Sequence, residues 1–572
     1  MSKLNLQGGV ALSAAVIVLL AGGVTAGPQA GEGSVAIINN EEKPVPAVEM
    51  GDAASIAIIM KEGKENNKVM EHITHLTKEI GARLTGSSNA EKANHWCESK
   101  YKEWGLTNVQ VEPWGEIATR FDRGPSTLKL VVKRDQPARP AGEAPADQPA
   151  SAEPQYTTLK ELQFTTLAWT SGTDGTVRGP VIWMPETEQE YTKLKDENKL
   201  KGAWILVKAP PPQGRRGVQE GMSATFSQKV EARKALADGS KKLDDLPLKQ
   251  RIAMEGIAGF VSASRDERVS TTSAPGWRDR KAEDVPPDVA IVVRRGDYDS
   301  INSRIADGEA VELEANLDHK FTAGPIPVYN TIAEIRGSEK PDEVVIVSAH
   351  LDSWNGPGSE GCTDNGTGSS VVLEAARILS TAIQHGAKPP KRTIRFINWT
   401  GEEQGLLGSK GYMEKHKDEL VKAVSACFVD DGGTDYEGGL VCTDDQVTYL
   451  AAATAPVNNV FYSETDKKWM NVNVHTKGRV EGGSDHMTFI KSGIPGFFWD
   501  EVGRADYGYG WHTQNDKLDL AIPEYLVQSS TCMAVTAYNV ACAPEMLARK
   551  KEEPKAPVEE PKKPTEPAKK EG

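Results

Sequence analysis

From Val328 onward the chain alternates β-branched or aromatic runs with helical segments, and this alternation constrains its fold more than any other feature. Val344-Val345-Ile346-Val347 reads as a buried strand, and Ser370 to Leu379 has the apolar spacing of a helix. Arg392 to Trp399 is a second strand, Gly405 to His416 a helix, and Ala423 to Val429 a third strand. Strands alternating with helices build a largely parallel sheet covered on both faces. The expected class is α/β, a mostly parallel mixed sheet with helices on both sides. Open sheets of this kind bind ligands beyond the carboxyl ends of their strands.

The residues at those ends are acidic or imidazole-bearing. His350-Leu351-Asp352-Ser353-Trp354 follows the first strand, and Gly361-Cys362-Thr363-Asp364-Asn365-Gly366-Thr367-Gly368 follows that. The second strand runs into Thr400-Gly401-Glu402-Glu403-Gln404-Gly405 and the third into Asp430-Asp431-Gly432-Gly433-Thr434. Gly510-Trp511-His512-Thr513-Gln514-Asn515-Asp516 supplies a second histidine in a loop after Phe497-Phe498-Trp499. One His-x-Asp pair would suit a solvated loop, and adjacent glutamates are ordinary surface residues. Together, at one sheet edge, they are the ligand chemistry of catalytic zinc. Two ions sharing a bridging carboxylate would use the set well, activating a water and clamping a tetrahedral intermediate.

The remaining sequence sets this region in a larger protein. A length of 572 residues calls for two or three domains, and 38% hydrophobic with 26% charged residues is a soluble globular composition. A net charge of −14 argues against a nucleic-acid partner. Lys3, the apolar run Val10 to Ala21 and the small-residue site Val24-Thr25-Ala26 read as a signal peptide over 1–26. Export, periplasmic or secreted, is expected, with no stable membrane span after cleavage. The cysteines, Cys97, Cys362, Cys427, Cys442, Cys532 and Cys542, contain no CxxC pair, and the sequence leaves their pairing open.

After a flexible lead-in over 27–55, Met70, Ile73, Leu76 and Ile80 share a helical face. Gly81-Ala82-Arg83-Leu84-Thr85-Gly86-Ser87 breaks it, and a second helix from Asn89 to Trp104 ends at the C-cap glycine Gly105. A strand over 108–112 opens a region whose character changes near Arg120. Short β-like runs at 179–183, 203–207, 259–261 and 289–293 mark 120–322 as an inserted, mainly-β domain between the early helices (56–119), the N-terminal part of the main domain, and that domain's acidic segments (323–546). The Lys/Glu/Pro-rich tail, 547–572, has little to bury and is expected to be disordered.

HLDSW, the CTDNGTGS loop, the TGEEQG loop, the DDGGT strand end and WHTQND, in that order, resemble the co-catalytic zinc exopeptidases. That family includes secreted bacterial aminopeptidases and glutamate carboxypeptidases. The similarity spans roughly 60–544, and the inserted region resembles the family's protease-associated domain. The resemblance implies two Zn2+ per chain, one held by His350 and Asp431, the other by Glu403 and His512, with Asp364 bridging. Glu402 would be the general base, and Asp352 would orient His350. Asp431 is chosen over Asp430 because Gly-Gly-Thr follows it directly. A cis peptide between Asp364 and Asn365 is also implied.

Asp485 is weighed between a helix N-cap and a substrate contact, and Tyr507 or Tyr509 as an oxyanion donor. The histidines outside the motifs are given surface or packing roles. The implied activity is hydrolysis at peptide ends or in dipeptides, with a peptide or dipeptide as partner and a homodimer admitted. Aminopeptidase, dipeptidase and carboxypeptidase all remain open. The alternatives are a glutaminyl cyclase-like single-zinc aminoacyltransferase and a non-catalytic peptidase-like binding ectodomain. Chelation is predicted to abolish hydrolysis and zinc to restore it. Full activity in protein shown metal-free by elemental analysis would refute this.

Overall fold

The computed structural model describes residues 34–134, 155–209, 231–478 and 483–549. The expected signal peptide and nearly all of the C-terminal tail lie outside them. Strands Arg392–Trp399, Lys340–His350, Val424–Val429 and Gly496–Val502 lie side by side in parallel, and Tyr436–Val441 adds to the last one antiparallel. On the other side, Glu312–Ile335 pairs antiparallel with Arg392–Trp399. The sheet is mixed with a parallel centre, as expected.

Side-chain alternation along Lys340–His350 explains why helices cover both faces. Val345, Val347 and Ala349 enter one core with helices Ser88–Glu103, Thr367–Gln384 and Pro523–Cys542. Val344 and Ile346 enter another with Tyr412, Met413 and Leu420 of helix Leu407–Ala423. A strand buried on both faces needs apolar residues at odd and even positions alike, hence the unbroken Val-Val-Ile-Val run. Helix Pro523–Cys542 was not anticipated from the sequence. It is buried around its circumference, so the one-sided spacing that marks a surface helix is missing.

Among the described residues, no helix is long and apolar enough to cross a membrane. All six cysteines are free and buried.

The strand expected over 108–112 runs from Thr107 to Lys133 and pairs along its length with Glu312–Ile335. Pro113, Gly115, Gly124 and Pro125 look like interruptions in the sequence but are carried inside this ribbon, which has register shifts along its length. Arg120 faces Thr322 in it, so the boundaries expected at 119/120 and 322/323 fall opposite one another.

The ribbon continues the sheet outward. Glu312–Asn316 pairs with Thr176–Pro180, and strands Trp204–Leu206, Gly259–Ala263 and Ala290–Val293 follow in parallel. Helices Glu188–Asp196, Leu248–Ile252 and Arg295–Ala306 lie between these strands in sequence. This outer region is therefore α/β, not mainly β. Helices Glu188–Asp196 and Leu248–Ile252 are short and rich in charge, which hid their periodicity.

Helix Thr367–Gln384 begins against the end of the third parallel strand. A Cβ on Gly368 would stand 2.3 Å from the Asp430 carbonyl oxygen and 2.6 Å from Asn365 Oδ1. Gly368→Ala should destabilise the fold by about 1–3 kcal/mol, the usual cost of overpacking. An unchanged denaturation midpoint would show that the helix can retreat freely.

Candidate metal centre

His350 is the last residue of its strand and is fully buried. Its Nδ1–H donates to the Asp352 carbonyl oxygen at 2.9 Å, which turns Nε2 toward the sheet edge. Nε2 lies 3.0 Å from Asp431 Oδ1, 3.3 Å from Asp364 Oδ1 and 3.9 Å from Glu402 Oε2. On the other side, His512 Nε2 lies 2.9 Å from Glu403 Oε2 and 3.3 Å from Asp364 Oδ2. The fold thus gathers two donor groups, His350/Asp364/Asp431 and Asp364/Glu403/His512, each with its ligand atoms within 4.8 Å of one another. Asp364 belongs to both. The peptide between Asp364 and Asn365 is cis.

The electrostatics suit cations. Burial pushes Glu402 and Glu403 well above the ordinary carboxylate range, and the charges of Asp431 beside Glu402 and Asp364 beside Glu403 push in the same direction. Asp364 Oδ2 and Glu403 Oε1 are buried and accept no hydrogen bond. With Nδ1–H committed to that carbonyl, His350 Nε2 faces two carboxylates, a place for a proton on the ring or for a cation between them. Imidazole nitrogen with carboxylate oxygen is a donor set that zinc accepts.

Asp430 plays a different part from Asp431. Its carboxyl group is buried and pushed up to about 7, chiefly by desolvation. Its carbonyl oxygen accepts from Asn365 Nδ2 at 2.8 Å. Asp352 also differs from expectation, because the nearer His350 contact is its main-chain oxygen while its Oδ1 stands 3.6 Å away. The Asp352 carboxylate accepts instead from Thr85 Oγ1 at 2.7 Å and from the amides of Glu402 and Glu403 at 3.3 and 3.4 Å.

Three positioning residues escaped the sequence reading. The buried Arg83 guanidinium donates to the carbonyl oxygens of Leu351 and Gly361, each at 2.7 Å, pinning the loop between His350 and Asp364. Thr85 Oγ1 accepts from Gly401 N at 3.0 Å while donating to Asp352. Asp516 accepts from Thr363 N at 2.6 Å and Thr363 Oγ1 at 2.8 Å, one residue before Asp364. A signal was available in the helix break GARLTGS, where an arginine and a threonine sit among apolar and small residues.

A cavity of about 430 Å³ opens above the donors, lined by Asp364, Glu402, Glu403, Asp431, His512 and Tyr507, with Leu406, Phe498 and Trp511 as apolar wall. Of the two tyrosines weighed, Tyr507 faces this cavity, while Tyr509 is 48% exposed and does not line it. Asp485 is fully buried, begins the short helix His486–Lys491 without a side-chain cap bond, and does not line the cavity.

Residues 330–536 match Peptidase family M28. Carboxypeptidase Q of Xenopus laevis is 32% identical over 505 residues, covering 87% of this chain and 91% of that protein. The chain belongs to peptidase family M28. Aminopeptidase YwaD of Bacillus subtilis is 29% identical over 260 residues, 44% of this chain and 51% of that protein. A peptidase M28 precursor from Shewanella amazonensis shares the fold at 24% identity and a TM-score of 0.54, covering 86% of this chain and 98% of that one. By family, this M28 chain is a peptidase.

Thr85→Val keeps the side-chain shape but leaves Asp352 Oδ2 and the Gly401 amide short of a partner. A lost hydrogen bond to a charged group costs roughly 1.5–3 kcal/mol. The variant should lose stability of that order and at least about tenfold in kcat/KM. Denaturation and steady-state kinetics unchanged from the parent would show that Thr85 does not position the Glu402 loop.

Proposed function

We propose that the chain is an exported exopeptidase that binds two zinc ions, one at His350 and Asp431 and one at Glu403 and His512, with Asp364 shared. The observation that carries this is Asp364, whose two oxygens face the two histidines at the same distance of 3.3 Å. Zinc held there supplies the Lewis acidity that makes water nucleophilic near neutral pH. Export rests on the signal-like sequence of residues 1–26.

The chain's own residues divide the remaining work. Glu402 lines the cavity, belongs to neither donor group and has Oε2 within 3.9 Å of His350 Nε2. It takes the proton of the attacking water and hands it to the leaving amine, the task of a general base that later acts as acid. Tyr507 lines the same cavity, where a developing oxyanion would need a donor. Leu406, Phe498 and Trp511 give an apolar wall for a substrate side chain. At about 430 Å³ the cavity is near the small end for ligand sites, which suits a peptide end better than the middle of a chain.

The adjacent glutamates provide the test. Glu402→Gln should keep both ions and substrate affinity while kcat falls by roughly 10²–10⁴-fold. Glu403→Gln should bind one ion more weakly, with excess zinc restoring part of the rate. Zinc content and kinetics for both variants decide the matter. Metal loss in Glu402→Gln with retention in Glu403→Gln would reverse the assignment, and full activity in both would refute the site.

A further inference from the structure

The two histidines are held in different ways. His350 ends a central strand, and its carbonyl oxygen accepts from Ser369 Oγ at 2.7 Å within the same sheet-and-helix core. His512 lies in a loop, one-quarter exposed, with its backbone in the left-handed region at φ 58°. That conformation is unfavourable for a non-glycine residue and persists only where surrounding contacts impose it.

Part of that support comes from the outer region. The segment Arg268–Thr271, between strands Gly259–Ala263 and Ala290–Val293, lies along the loop as a short antiparallel strip. Thr271 N–H donates to the His512 carbonyl oxygen at 3.0 Å and Gln514 N–H to the Val269 carbonyl at 3.2 Å. Ser270 faces Thr513 across the bridge. The Gln514 side chain closes the strip, its Oε1 accepting from Val269 N–H at 2.7 Å. Arg268 Nη1 donates to the Gly508 carbonyl at 2.7 Å, on the turn leading into the loop. Val269, Thr271 and Gln514 are buried, so these bonds form out of water, where an unmade one costs most.

We propose that the strip Arg268–Thr271 is a positioning element for His512, with Gln514 as its principal side-chain link, so that the outer region sets the affinity of one ion and not the other. This rests on the two-ion reading above. Gln514 touches neither ion nor substrate in this account. It fixes the backbone from which the His512 imidazole projects, and residues that orient a metal ligand typically govern affinity by about 10–100-fold.

The test is zinc titration of the full-length, chelator-stripped protein against a competing chromophoric chelator. The unmodified chain should take up two ions. Gln514→Leu keeps the volume but removes the acceptor, and should weaken one ion by about 10–100-fold while leaving the other unchanged. Gln514→Glu keeps an oxygen for Val269 N–H and should recover most of that loss. Unaltered affinity for both ions in Gln514→Leu would overturn the proposal. So would equal weakening of both, which is what a general loss of stability would produce. If Gln514→Leu lacks a cooperative melt, Arg268→Met, which cuts the tie to Gly508 from a more exposed position, decides by the same selective readout. Fewer than two ions in the unmodified chain would overturn the two-ion reading itself, and this inference with it.

Discussion

Asp364 places its Oδ1 3.3 Å from His350 Nε2 and its Oδ2 3.3 Å from His512 Nε2, and around it stand Glu402, Glu403 and Asp431. Negative groups crowded away from water repel one another and gain proton affinity, as burial and mutual charge do here for both glutamates. A site of this kind is costly for the protein alone. Protons or cations relieve that charge, and the metal centre we propose at this edge draws on its electrostatics as well as on its residue types.

Holding such groups in place falls to uncharged bonds and to one buried cation. Arg83 has no carboxylate partner among the described residues; its hydrogen bonds go to carbonyl oxygens, those of Leu351, Glu360 and Gly361 on the loop between His350 and Asp364 and those of Leu76 and Gly81 beside it. Its charge thus stiffens the loop while lying near the acidic cluster. Asp352 and Asp516 work from the opposite sign, each accepting from hydroxyl and amide groups so that the backbone bearing a donor residue is fixed. Both lie at first glance among the metal-binding motifs, yet their contacts are with the loops and not with the cavity.

The parallel core and the gathering of His350, Asp364, Glu402, Glu403, Asp431 and His512 at its edge were legible in the sequence because each is a local pattern. A β-branched run predicts a strand, and the residue after it then has a known place at the sheet edge. What was not legible depends on partners far away in the chain. Thr85 meets Asp352 and Gly401 across separations of 267 and 316 residues, and no short-range pattern announces such a pairing. The ribbon Thr107–Lys133 was hidden for another reason. Its prolines and glycines read as interruptions, but a long twisted pair absorbs them where register shifts. The helices of the outer region were missed because short, highly charged segments have little apolar periodicity to detect.

The same distinction between local and remote separates the two halves of the site. A parallel sheet delivers side chains to its carboxyl edge in fixed register, and His350, Glu402, Glu403 and Asp431 all arrive at or just beyond strand ends that are paired to one another. The fourth parallel strand, Gly496–Val502, runs past that edge without presenting a histidine, and His512 comes only in the loop that follows. A side chain on a loop has no ladder of its own, so its geometry must be imposed by neighbours. Here they are Asp516 against Thr363 on one side and the outer strip at Val269 and Thr271 on the other. The outer region therefore cannot be regarded as a separate appendage beside the peptidase sheet. Its backbone forms part of the support for the residue that the sheet itself does not supply.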